Sequence, residues 1–231
     1  MKIQINLKKQ SKTCHDPDQH LIEELCKQLI GAKIQYSYRL SLSNDLSFDD
    51  TIADNNINGN CIEHILYPYI KEKISTFERG PKQKAPDFWN RSREYCWEIK
   101  SFTDAPGFDI ANFMSFIYQL ASPGGLREKL YKTKYLIFKY RQLADGIEIT
   151  DVMICNIWNL VNYDGKYPIS LQNKKGTWYN IRPGSYYSFS DRGKTADLFL
   201  DKISQAIREC PNRIENRAEL IEQIQRQRKW N

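Results

Sequence analysis

The chain is poor in the residues that build metal cages and covalent frameworks. Among 231 residues there are three histidines, at 15, 20 and 64, and six cysteines, at 14, 26, 61, 96, 155 and 210. No two cysteines are spaced CxxC, and the histidines complete no zinc pattern. Cys14 with His15, and Cys61 with His64, are too few ligands for a site. No apolar run approaches the ~20 residues that span a bilayer, and the N-terminus has no secretory apolar segment. These absences point to reduced thiols, a cytoplasmic protein and no membrane partner. Internal repeats and low-complexity linkers are also missing. The expectation is one domain over 1–231.

What is present suits a packed core. Hydrophobic residues make up 41% and charged residues 27%, an ordinary globular balance. The net charge of +6 is mildly basic. It offers some attraction to phosphates, although a plain lysine excess explains it as well.

The patterning predicts helices and strands in a mixed order. Asp16-Pro17 caps a first helix carrying Leu21, Ile22, Leu25, Leu29 and Ile30, closed by Gly31. Residues 45–59 are rich in Asp and Asn and read as a loop. A second helix over about 60–74 has Ile62, Ile65, Leu66, Tyr69 and Ile70 on its apolar face. Residues 77–84 are basic and break at Pro81. Residues 87–89 and 95–102 read as two strands of a hairpin around a polar turn at 90–93. Asp109 is placed to cap a helix through Phe113, Met114, Ile117 and Leu120, which Pro123-Gly124-Gly125 ends. Residues 134–140 read as a buried central strand and 147–155 as its neighbour after Asp145-Gly146. A short helix at Trp158–Val161, strand pieces near 173–176 and two tail helices parted at Pro211 follow. The fold class expected is α/β, a mixed central sheet flanked by helices.

The hairpin carries the chemistry. Residues two apart on a strand share a face, so Glu98 and Lys100 project together while Trp97 and Ile99 point into a core. Asp87, at the preceding strand, can reach that face. Charges on a half-buried face are costly unless paired or bound to metal. Two carboxylates can hold one or two Mg²⁺, a hard ion that prefers oxygen. The metal activates water and neutralises a scissile phosphate, and a lysine beside it steadies transition-state charge. The plain alternative is a surface hairpin with a Glu–Lys pair.

Pro86-Asp87, ten residues, then Glu98-Ile99-Lys100 resembles the PD-(D/E)xK nuclease signature. The likeness is to type II restriction endonucleases in particular and covers residues 59 to 155. It implies a restriction-endonuclease-like fold, with Asp87, Glu98 and Lys100 catalytic and Mg²⁺ on Asp87 and Glu98. Family members carry a glutamate on a helix before the motif, and Glu63 matches it here as a further metal ligand, or else as a solvated helix residue. The resemblance further implies cleavage of double-stranded DNA at a short specific sequence and a homodimer, because protein symmetry mirrors site symmetry. It makes 59–155 the catalytic core and 156–231 a C-terminal β and helical region. Two other readings stay open: a repair or junction-resolving nuclease of the same superfamily, and a DNA-binding module without catalysis.

Further candidates for DNA contact are Arg91 and Arg93 in the hairpin turn, Asn112 after the motif, and Asn156, Asn159 and Asn162, spaced by three. Asparagine can read adenine, but local capping and turn roles compete at each position. Lys174 and Lys175, with Trp178, Tyr179 and Arg182, mix basic and aromatic types suited to backbone contact and stacking. An aromatic face toward the core is the alternative there. Asp104 reads as a loop residue, and Arg226, Arg228 and Lys229 as a solvated helix end.

Overall fold

The computed structural model describes residues 17–35, 38–41, 47–50, 55–80, 85–92, 94–190 and 193–228. The sequence expectations for Cys14, His15, Asp16, Arg93 and Lys229 lie outside these residues. Helix α1 (Pro17–Lys27) buries Ile22, Leu25 and Cys26. Strand β1 (Lys33–Gln35) follows, then a small hairpin of β2 (Tyr38–Ser41) and β3 (Ser47–Asp50). Helix α2 (Asn55–Lys73) starts five residues earlier than its apolar stripe predicts and takes over the end of the expected loop. Asn58 shows why the polar composition misleads. Its side chain is buried and donates to Gln142 Oε1 at 2.8 Å, so a distant strand satisfies it.

The basic segment after α2 contains a strand that three residues could not announce, β4 (Phe77–Arg79). Strands β5 (Phe88–Asn90) and β6 (Cys96–Phe102) form the expected hairpin. A two-residue strand β7 (Ala111–Asn112) leads into α3 (Phe113–Ala121). Asn112, not Asp109, caps this helix, its Oδ1 accepting from Ser115 N at 3.0 Å. Asp109 instead pairs with Arg182 at 3.1 Å, and residues 110–112 are drawn into sheet pairing that delays the helix start. A π-helical turn (Arg127–Lys132) precedes the long pair β8 (Thr133–Leu143) and β9 (Gly146–Cys155). Then come α4 (Ile157–Leu160), the hairpin β10 (Leu171–Lys174) and β11 (Thr177–Ile181), and a 3-10 turn (Tyr186–Ser190). Helices α5 (Ala196–Glu209) and α6 (Arg217–Arg228) flank Pro211 as expected.

Six strands form the central sheet in the order β1-β9-β8-β6-β5-β4. Strands β6 and β8 run parallel, and the other pairs are antiparallel. The period of two sorts the side chains between two cores. Trp97, Ile99, Leu136 and Phe138 pack with α1 and α2 on one face. Phe102, Tyr135 and Ile137 pack with α3, α5 and α6 on the other. The second sheet, β10-β11-β7, joins that other face through Leu171, Trp178 and Ile181.

Candidate active site

Strand β6 is held in place by β8 along its full length, with Glu98 opposite Tyr135 and Lys100 opposite Ile137. Its pairing with β5 stops early, at Phe88 with Trp97 and Trp89 with Cys96. The edge of β6 beyond Trp97 is therefore open to the residue just before β5, which is Asp87. Stacked Phe77 and Phe88, with Trp97 beside them, fix the base of the hairpin. Gly80 N–H donates to the Asp87 carbonyl at 2.7 Å.

This arrangement brings Asp87, Glu98, Lys100 and Glu63 together. Asp87 Oδ2 accepts from Ile99 N at 2.7 Å. The Lys100 ammonium donates to Glu98 Oε1 at 3.0 Å, with the side chains only 20% and 11% exposed. The second Glu98 oxygen, Oε2, is buried and has no hydrogen-bond partner. Burial pushes the Asp87 carboxyl up to about 7, the neighbouring Glu98 and Glu63 carboxylates add to this, and the Ile99 N–H and Lys100 oppose it. Gly59, Asn60 and Glu63 of α2, with Asp87, Lys100 and Ser101, line a cavity of about 300 Å³. Glu63 thus faces the motif from α2. Among the described residues no three His, Cys, Asp or Glu side chains form a ready metal cluster. The oxygen donors at hand are the Asp87–Glu98 pair, with Glu63 on the cavity wall.

The remaining candidates are placed differently. Arg91 is exposed and pairs with Glu78 at 3.1 Å. Asn156 accepts from Lys134 Nζ at 2.6 Å, and its N–H donates to Asn159 Oδ1 at 3.3 Å, so both asparagines serve the start of α4. Asn162 Oδ1 accepts from Asp164 N in a turn. Lys174 and Lys175 are exposed at the β10–β11 tip, with the Lys174 ammonium 5.5 Å from the Tyr179 ring centre. Trp178 is buried in the core. Arg182 pairs with Asp109 and the Gly107 carbonyl. Arg226 pairs with Glu222, and Arg228 bridges Asp197 and Asp201 across the two tail helices. Asp104 is exposed in its loop. Sequence reasoning missed Asn60 and Ser101 on the cavity wall. Ser101 sits next to the motif lysine, and Asn60 lies three residues before Glu63, which is the one spacing that hinted at it.

A mixed sheet with two carboxylates and a lysine converging at the open edge of a central strand defines a class, the nucleases of the restriction endonuclease fold. The sequence pattern of the NgoBV restriction endonuclease family matches residues 16–229, and the chain belongs to that family. It is a site-specific restriction endonuclease, and DNA is the substrate it hydrolyses. The type II restriction enzyme NlaIV of Neisseria lactamica is similar, 27% identical over 202 residues that cover 82% of this chain and 81% of that one. The solved structure of the NlaIV restriction endonuclease has the same fold, with a TM-score of 0.74, 24% identity and coverage of 92% and 88% of the two chains. No described helix is long and apolar enough to cross a membrane.

Proposed function

We propose that Asp87 and Glu98 hold Mg²⁺, that Glu63 is a further oxygen donor, and that Lys100 serves the attacking water during double-strand cleavage. The observation that carries this reading is the buried carboxylate pair. Asp87 sits in the field of Glu98 away from water, and one Glu98 oxygen is left without a donor. A hard divalent cation fits such an all-oxygen set, and it would satisfy the orphaned oxygen while relieving the like-charge repulsion. When bound, it supplies Lewis acidity to a water and to the scissile phosphodiester.

The chain's own groups do the positioning. The Ile99 N–H fixes one oxygen of Asp87 and leaves the other free for ligation. Glu98 Oε1 holds the Lys100 ammonium, so Oε2 is the oxygen available for ligation. Lys100 lines the cavity, where its ammonium orients a water and offers positive charge as the phosphorus gains negative charge. Cutting both strands of a symmetric site asks for two chains related by a two-fold axis, so the active species in this reading is a homodimer. The same reading makes about 59–155 the catalytic core and 156–231 the supporting region, in a protein that works in the cytoplasm.

The test is digestion of a plasmid of known sequence in Mg²⁺, with and without EDTA. Discrete fragments that vanish with EDTA are expected. Asp87→Ala and Lys100→Ala should each slow cleavage by at least about 100-fold while still retarding duplex DNA on a gel. Wild-type cleavage by either variant would overturn the assignment.

A further inference from the structure

The 300 Å³ cavity at Asp87 and Lys100 is not the only recess beside the motif. A larger one, of about 590 Å³, opens between Glu98 and Tyr135 of the paired strands β6 and β8, the exposed stripe of α3 and the π-helical turn. Its floor is apolar, with Phe116 and Tyr135 almost fully buried. Its rim is polar. Asn112, Ser115, Gln119 and Ser122 recur at helical spacing along one side of α3, while Phe113, Ile117 and Leu120 hold the opposite side in the core. Lys129 reaches the rim from the π-helical turn.

These rim groups differ in what they have left to offer. Asn112 spends its oxygen on the helix cap, and Ser122 Oγ donates to the Gln119 carbonyl. The Gln119 amide, the Ser115 hydroxyl and the Lys129 ammonium have no side-chain hydrogen bond to another described residue. Glu98 lines this recess as well, and so joins it to the reacting centre. An apolar floor, a planar amide, a hydroxyl and one ammonium, with the Glu128 carboxylate as a further acceptor, in a space within the usual range of ligand sites, match the chemistry of a nucleotide.

We propose that this recess is the base-reading subsite: Gln119, with Ser115 beside it, hydrogen-bonds a base edge next to the scissile phosphate, and Lys129 contacts a neighbouring phosphate. The proposal rests on the placing of the reaction at Asp87 and Glu98. A glutamine amide donates and accepts in one plane and so distinguishes base edges. A lysine is a point charge that attracts phosphate without reading sequence.

The experiment uses the full chain and duplexes carrying the mapped cleavage site or single-base variants of it. Gln119→Ala should lower the ratio of kcat/KM for the true site over the variants by about 10- to 100-fold. Ser115→Ala should do so to a smaller extent. Lys129→Ala should weaken binding of all duplexes alike in EDTA and reduce the slope of log affinity against log salt by about 1. Gln119 and Ser115 are exposed on α3, so both variants should melt like the parent. Unchanged discrimination in Gln119→Ala, with cleavage still lost in Asp87→Ala, would overturn the subsite and leave the active centre standing. Cleavage by Asp87→Ala would overturn the active centre itself.

Discussion

Asp87 keeps its proton in the fold well past the pH at which the same side chain ionises in an unfolded chain. Its carboxyl is pushed up from 3.8 to about 7 by burial and by Glu98 and Glu63. Between these pH values the folded state binds more protons than the unfolded one, so this residue's contribution to stability falls as pH rises, and it levels off above the folded value. Asp87→Asn removes that penalty. In the absence of divalent cations the variant should therefore melt above the wild type at pH 8, and the difference should narrow steadily toward pH 4. Thermal melting in EDTA across this range checks it, and a difference independent of pH would rule the explanation out. The same substitution should abolish cleavage. A group that costs stability where it gives activity is what a ligand site for a cation looks like before the cation arrives.

At the scale of elements, the placing of Asp87 depends on how closely β4 approaches the segment before β5. A Cβ on Gly80 would lie 1.8 Å from the Pro86 carbonyl oxygen, too close for any side chain. Gly80→Ala must push residues 86 and 87 away from β4 and so shift the carboxylate relative to β6. Misplacement of about 1 Å can cost around 100-fold in rate, and a loss of at least about 10-fold in kcat is expected, with far-UV circular dichroism unchanged. A wild-type kcat would mean that the segment moves without moving Asp87.

The elements also show what the sequence could and could not reveal. The β5–β6 hairpin, α3, β8 and β9 announce themselves because one side of each is continuously apolar over enough residues to show a period. Asn58 hides the start of α2 because its hydrogen-bond partner, Gln142, is 84 residues away. Strands β1, β4 and β7 are two or three residues long and owe their conformation to the neighbours that pair with them. The cap of α3 fell to Asn112 over Asp109 for the same reason, because β11 claims Ala111 and Asn112. The candidate site divides likewise. The Glu98–Lys100 pair follows from strand periodicity alone. Ser115, Gln119 and Lys129 become neighbours of Glu98 only once α3 and the π-helical turn fold back over the parallel strands.

At the scale of the whole molecule, two cores of buried side chains lie on either side of one sheet. The net charge of +6 favours association with DNA in general and leaves the choice of sequence to particular groups. A duplex with a symmetric site should bind two chains. Sedimentation velocity of the Asp87→Ala protein with such a duplex is expected to give two chains per DNA. A single chain per duplex at saturation would set aside the homodimer.

Strand β6 is a shared wall. The 300 Å³ cavity beside α2 and the 590 Å³ recess beside α3 both end on its residues, one at Lys100 and the other at Glu98. Changes on the α3 side can accumulate without altering the α2 side, because the two linings have no residue in common. Such a plan lets a lineage of these proteins alter the sequence it recognises while the hydrolytic chemistry stays as it is, and it tells an engineer which helix to randomise.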